Sequence, residues 1–139
     1  MDVEGTREIL FRGKRIDNGE WVEGYFVNLW LMHYQKHQPI ITDNNAVSYD
    51  VDLSTVGQYT GLTDKNGKKI FEGDILRHYN HSTDTEKYEI GKVFFDSYSA
   101  CFKRTSNPDA VYLGKRCTYE VIGNTHDNPE LLKGFNKEV

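Results

Sequence analysis

Apolar and polar positions alternate in short bursts along this chain, and glycine, asparagine or aspartate ends each burst before it grows long. That is the period-two pattern of half-buried strands, not the wider stripe of an amphipathic helix. The first burst, Glu8-Ile9-Leu10-Phe11-Arg12-Gly13-Lys14, reads as a strand and is followed by Asp17-Asn18-Gly19. Asn-Gly tolerates positive φ at both positions, as a tight hairpin turn requires. The return arm, Glu20-Trp21-Val22-Glu23-Gly24-Tyr25-Phe26-Val27, is rich in β-branched and aromatic residues, so a hairpin is predicted. Residues 29–34 are apolar and fit either a continued strand or one helical turn. Pro39-Ile40-Ile41-Thr42 reads as a further strand, ended by Asp43-Asn44-Asn45. Asp52, Ser54 and Thr55 favour a turn ahead of a strand near Val56-Gly57-Gln58-Tyr59.

The stretch 60–76 holds two more turn signals, Asn66-Gly67 and Gly73-Asp74, and its glycines exclude a regular helix. Residues 78–87 are polar and read as a loop. Segments 88–96, 100–103, 111–113 and 118–122 follow as short strands, spaced as in a small barrel or sandwich. Near the end, Asn128 suits a helix cap and Pro129 the first helical position, which predicts one short C-terminal helix.

Composition refines this picture. Only 37% of the 139 residues are hydrophobic, yet 13% are aromatic, so the predicted core is thin and built from rings that can offset ordering entropy. The length allows one core, or two small β-units sharing an interface. No apolar run reaches bilayer length, and residues 1–12 lack the layout of a secretory signal, so no membrane contact and a cytoplasmic location are expected. Cys101 and Cys117 imply no disulfide framework and are read as reduced thiols. A net charge of −4 argues against a general polyanion binder while leaving room for a local basic patch.

One long run, Val51-Asp52-Leu53-Ser54-Thr55-Val56-Gly57-Gln58-Tyr59-Thr60-Gly61-Leu62-Thr63-Asp64-Lys65-Asn66-Gly67-Lys68-Lys69-Ile70-Phe71-Glu72-Gly73-Asp74-Ile75-Leu76, resembles the signature of the YopX family. Phe11-Arg12-Gly13-Lys14 with Trp21-Val22-Glu23-Gly24, and the ending Tyr119-Glu120-Val121-Ile122-Gly123-Asn124-Thr125-His126-Asp127-Asn128-Pro129-Glu130-Leu131-Leu132, are similar to the same family. The matches run in the family's order over nearly the whole chain, weakest at 28–45 and 78–86. The resemblance implies a protein encoded by bacteriophages and prophages, in a family without an established biochemical activity. It also implies an all-β fold of two small unlike barrel-type units, here 1–58 and 59–139, the second similar to an SH3-type barrel. It brings no catalytic residues with it.

Several groups invite a chemical reading. Asp64-Lys65-Asn66-Gly67 alternates oxygens around a glycine, but a calcium loop needs a longer ligand ladder and a terminal bidentate Glu, so a hairpin turn is expected. His78, His81 and Asp84 have a metal-like spacing but lie in a polar loop without further ligands. His33 and His37 would share a face only in a helix, which Pro39 disfavours. Glu72 and Asp74 could divide acid and base roles, yet lack a nucleophile, and Asp74 suits a turn in which it bonds backbone amides. Cys101 is expected to pack as a small hydrophobe, and Cys117, beside Lys115 and Arg116, has no motif-placed base. No catalytic, cofactor or metal residues are therefore assigned.

Lys103-Arg104 and Lys115-Arg116, interleaved with Phe102, Tyr112 and Tyr119, are the raw material of single-strand nucleic-acid binding. The leading expectation is nonetheless a non-enzymatic interaction module. Its exposed edge strand would take up a protein partner or a second copy. Nucleic-acid binding through those four basic residues is the alternative, and an enzyme or metal-binding protein comes third.

Overall fold

The computed structural model describes residues 7–79, 88–106, 109–115 and 117–133. Ten strands fill most of them: β1 Phe11–Arg15, β2 Trp21–Leu31, β3 Lys36–Thr42, β4 Ser48–Thr63, β5 Lys69–Phe71, β6 Asp74–Tyr79, β7 Tyr88–Asp96, β8 Cys101–Arg104, β9 Val111–Tyr112 and β10 Thr118–Asn124. The fold is all-β, as the alternation predicts. The chain divides into two compact units, Met1–Tyr59 and Thr60–Val139.

In the first unit β1 pairs antiparallel with both β2 and β4, while β3 bridges β2 and β4, so four strands close into a small barrel. Closure leaves little room inside. Leu10, Ile41, Val51 and Tyr59 are buried, and a Cβ on Gly13 would stand 3.1 Å from the Ile41 side chain and 3.3 Å from Val51. The β1–β2 hairpin forms, but over four loop residues: Gly19 N–H donates to Arg15 O, Arg15 N–H to Glu20 O, and Gly19 has φ +72°. Only Gly19, not Asn18, takes positive φ, because the longer loop needs a single left-handed residue.

Two ambiguous stretches resolve. Residues 29–31 continue β2, and Met32–Gln35 form the turn into β3, with Tyr34 N–H donating to Leu31 O. The turn expected near Asp52 is present as a bulge inside a continuous β4. Four residues, 53–56, stand opposite Gly13 alone. The bulge is held by side chains: Asp52 Oδ1 accepts from Ser54 N–H, and Thr55 Oγ1 donates to Asp52 O while accepting from Lys14 N–H.

The second unit holds a five-stranded sheet ordered β10-β6-β7-β8-β9. Its core is Ile70, Leu76, Val93 and Tyr119, with Leu62, Leu113 and Val121 packed around them. The β4–β5 turn is fastened to β10, since Lys65 N–H donates to Tyr119 O and Val121 N–H to Asp64 Oδ2. Where the C-terminal helix is expected, the described residues form a 3-10 turn, Pro129–Leu132. Asn128 Oδ1 accepts from Asn124 N–H and so makes no cap bond at the helical start.

Candidate interaction surface

The groups that invited a chemical reading are mostly engaged in holding the fold. Asp64 spends its carboxylate on three backbone amides, those of Asn66, Lys68 and Val121. Burial alone would raise its pKa; the amides of Val121, Lys68 and Asn66 outweigh that and lower it. It clamps the turn. Asp74 is buried and its Oδ2 accepts from Phe71 N–H at 2.7 Å, closing the turn in which Gly73 has φ +92°. His78 Nδ1 stands 2.9 Å from Arg104 Nη2; a guanidinium only donates, so this nitrogen accepts. His81 and Asp84 lie outside the described residues. His37 packs against Trp30 across β2 and β3, ring centroids 4.9 Å apart and planes tilted by 59°, and His33 sits in the turn between these strands. Among the described residues no three His, Cys, Asp or Glu side chains gather as a metal site. A recess of about 570 Å³ in the first unit is lined by residues such as Lys14, Arg15, Pro39 and Asp52, and no histidine, cysteine or hydroxyl side chain lines it.

Alternation along β8 sends Lys103 and Arg104 to opposite faces. Lys103 pairs with Asp96 at 2.6 Å and lies 4.7 Å from the Tyr112 ring centroid. Each partner shifts the other: the Asp96 carboxylate raises the Lys103 pKa, and Lys103 lowers that of Asp96. Arg104 is buried, with Nη1 2.9 Å from Glu89. Lys115 is exposed, and Arg116 lies outside the described residues. Of the three rings, Tyr112 is exposed, Phe102 packs edge-on against Phe95, and Tyr119 is buried, its hydroxyl accepting from Gly114 N–H. Burial raises the Tyr119 pKa. Cys101 is half-buried and Cys117 exposed, both as free thiols.

A different surface stands out. β1 pairs with β2 only as far as Gly24, and β4 pairs with β3 only at Ile40–Thr42. From Tyr25 on, β2 pairs only with β3 among the described residues, and from Asn28↔Pro39 to Leu31↔Lys36 the two run on as a two-stranded ribbon. Its apolar side chains face water: Tyr25, Val27, Leu29, Trp30, Met32 and Tyr34 are each at least 42% exposed, Met32 reaching 79%. Isolated exposed apolar residues are ordinary, but here Tyr25, Val27 and Leu29 follow one another on one face of the strand, with Trp30 exposed on the other.

The ribbon's two edges differ. The β3 edge carries Lys36 and Pro39, a charge and a missing donor, both of which discourage strand pairing. The β2 edge, Tyr25-Phe26-Val27-Asn28-Leu29-Trp30-Leu31, carries no charge at all. Which groups face outward follows from alternation. Arg15 N–H donates to Glu20 O, so even-numbered residues of β2 direct their N–H and C=O toward the β1 side. Pro39, which has no N–H, stands opposite Asn28 and agrees with this phase. Phe26, Asn28 and Trp30 therefore turn their peptide groups to an edge that no strand among the described residues takes up.

Sequence reading found the strand but not its solvent-facing edge. The available signal was the uncharged run itself, which a buried strand shows equally well.

Comparison with known proteins sets this geometry in context. The family model described as YopX protein matches residues 10–133. The crystal structure of protein EF1440 from Enterococcus faecalis is similar with a TM-score of 0.57 and 26% sequence identity, covering 91% of this chain and 99% of that one. Curated proteins gave no match.

Proposed function

This chain belongs to the YopX family, and from that premise we propose that it is a non-enzymatic interaction module, encoded by phage or prophage and acting in the cytoplasm of the bacterial host. Its second unit is taken as an SH3-type barrel. The observation that carries the reading is the β2–β3 ribbon, whose exposed apolar side chains lie along an uncharged edge that no strand among the described residues takes up. Strand addition suits such an edge, because main-chain bonds supply affinity and alternate side chains supply selectivity. Further support comes from the second unit, where the basic pair Lys103-Arg104 is divided between two faces and each member is answered by a carboxylate. That arrangement favours protein contact over a nucleic-acid groove.

Copurification tests this. A tagged chain expressed in phage-infected cells is compared with Val27→Lys/Leu29→Lys and with Lys103→Ala/Lys115→Ala, the bound material being identified by mass spectrometry. We expect a protein component that the ribbon variant loses and the basic-residue variant keeps. A nucleic-acid component kept by the ribbon variant and released by salt would overturn the reading.

A further inference from the structure

We propose that the occupant of the β2 edge is the same edge of a second copy, paired antiparallel about a two-fold axis through Asn28. The inference rests on the interaction reading above and names its partner.

Three observations on the first unit point to a second copy. First, the strand is nearly symmetric in side-chain class about Asn28. An antiparallel pairing centred there sets Val27 against Leu29, Phe26 against Trp30 and Tyr25 against Leu31, each twice. Every such pair is apolar and none brings like charges together, so nothing repels a second copy. Second, the phase of the peptide groups fits. Phe26, Asn28 and Trp30 are the residues whose N–H and C=O face outward. With Asn28 on the axis, Asn28 meets Asn28 and Phe26 meets Trp30, so all three outward donors of each copy find acceptors. An axis one residue away would leave some of these groups opposite nothing. Third, Asn28 Oδ1 is shielded from solvent and accepts no hydrogen bond within the described chain. Such a group is costly to leave unmet, and turning it to the axis lets each side-chain amide donate to the other.

Exposed apolar side chains flank this edge on both faces of the strand, Tyr25, Val27 and Leu29 on one and Trp30 on the other. Because the pairing is isologous, one patch serves both copies. The β3 edge offers no equivalent: Lys36 places a charge on it, and Pro39 lacks a donor.

The test is the association state of the purified full chain over a concentration series, by sedimentation velocity, with circular dichroism to confirm folding. We expect a concentration-dependent dimer. In Val27→Lys/Leu29→Lys, the proposed register sets introduced lysines against each other on both sides of the axis, and the dissociation constant should rise on the order of tenfold or more. In Val27→Lys/Leu29→Glu, the lysine introduced at position 27 faces the glutamate introduced at position 29 of the other copy, and association should return. This second variant carries equal disruption of the apolar row, so recovery reports the register and not general damage.

A wild-type chain that stays monomeric throughout overturns the second-copy proposal. If that monomer still captures another protein through the ribbon, the interaction reading stands by itself. A dimer that both variants leave unchanged overturns the proposed site, since the edge then lies outside the contact. Equal weakening in the two variants overturns the Asn28-centred register.

Discussion

Asp43 and Asp64 build the same turn from different neighbours. In each, one carboxylate oxygen accepts from the amides two and four residues on: Asn45 and Val47 in the first, Asn66 and Lys68 in the second. The fourth residue of each turn is left-handed, Ala46 at φ +63° and Gly67 at φ +81°. For alanine that conformation costs about 1–2 kcal/mol, against about 0.5–1 kcal/mol of extra entropy lost by glycine on folding. Ala46→Gly should therefore raise stability by up to ~1 kcal/mol in urea unfolding. Asp64 carries more, because its second oxygen also accepts from Val121. An amide at that position must turn its NH₂ toward one of these donors, so Asp64→Asn should cost about 1.5–3 kcal/mol at neutral pH. The sign with pH follows from the lowered pKa. Above the ordinary carboxyl value of 3.8 the ionised group's contribution is present in full; it is lost as pH falls through the lower folded value. The difference between wild type and Asp64→Asn should shrink below that range, which unfolding midpoints measured across acid pH will show. The turn was legible in the sequence because Asp, Asn and Gly act within a few residues of themselves.

At the level of elements, legibility falls off where pairing is long-range. Strand positions in the second unit follow the alternation closely, and at the C-terminal segment Asn128 bonds backward to Asn124 instead of capping the turn that follows. What local pattern did not disclose is where β2 changes partner. Gly24 stands opposite Phe11 on β1, and the next residue, Tyr25, stands opposite Thr42 on β3. A methyl at Gly24 would overlap the Thr42 carbonyl oxygen, and backbone cannot yield as a side-chain tip can. Gly24→Ala should cost about 1–3 kcal/mol, read from the urea midpoint at unchanged slope. A loss below a few tenths would mean that the two strands separate freely at this corner. The same partner change creates the ribbon, because β2 leaves β1 here with seven residues still to run.

For the molecule as a whole, composition foretold a thin core. The buried aliphatics are few, Leu10, Ile41 and Val51 in one unit and Ile70, Ile75, Leu76 and Val93 in the other. The ring-rich remainder is divided: Tyr59, Phe71 and Tyr119 go inside, while Tyr25, Trp30, Tyr34, Tyr98 and Tyr112 stay in water. Sequence cannot sort these two sets, since a ring that closes a barrel and a ring that awaits a contact occupy the same alternating positions. Lys103 and Arg104 illustrate the same limit from the polar side: adjacency along a strand means opposite faces, and the carboxylates of Asp96 and Glu89 that pair with them come from a neighbouring strand.

Pro39 and Lys36 have a consequence beyond the ribbon itself. A sheet able to grow on both sides polymerises, each newcomer offering a fresh template to the next. Here one side is sealed, so a second copy docking along Tyr25–Leu31 in the proposed two-fold pairing would end the series by docking, and recruitment through this strand would be terminal after a single event.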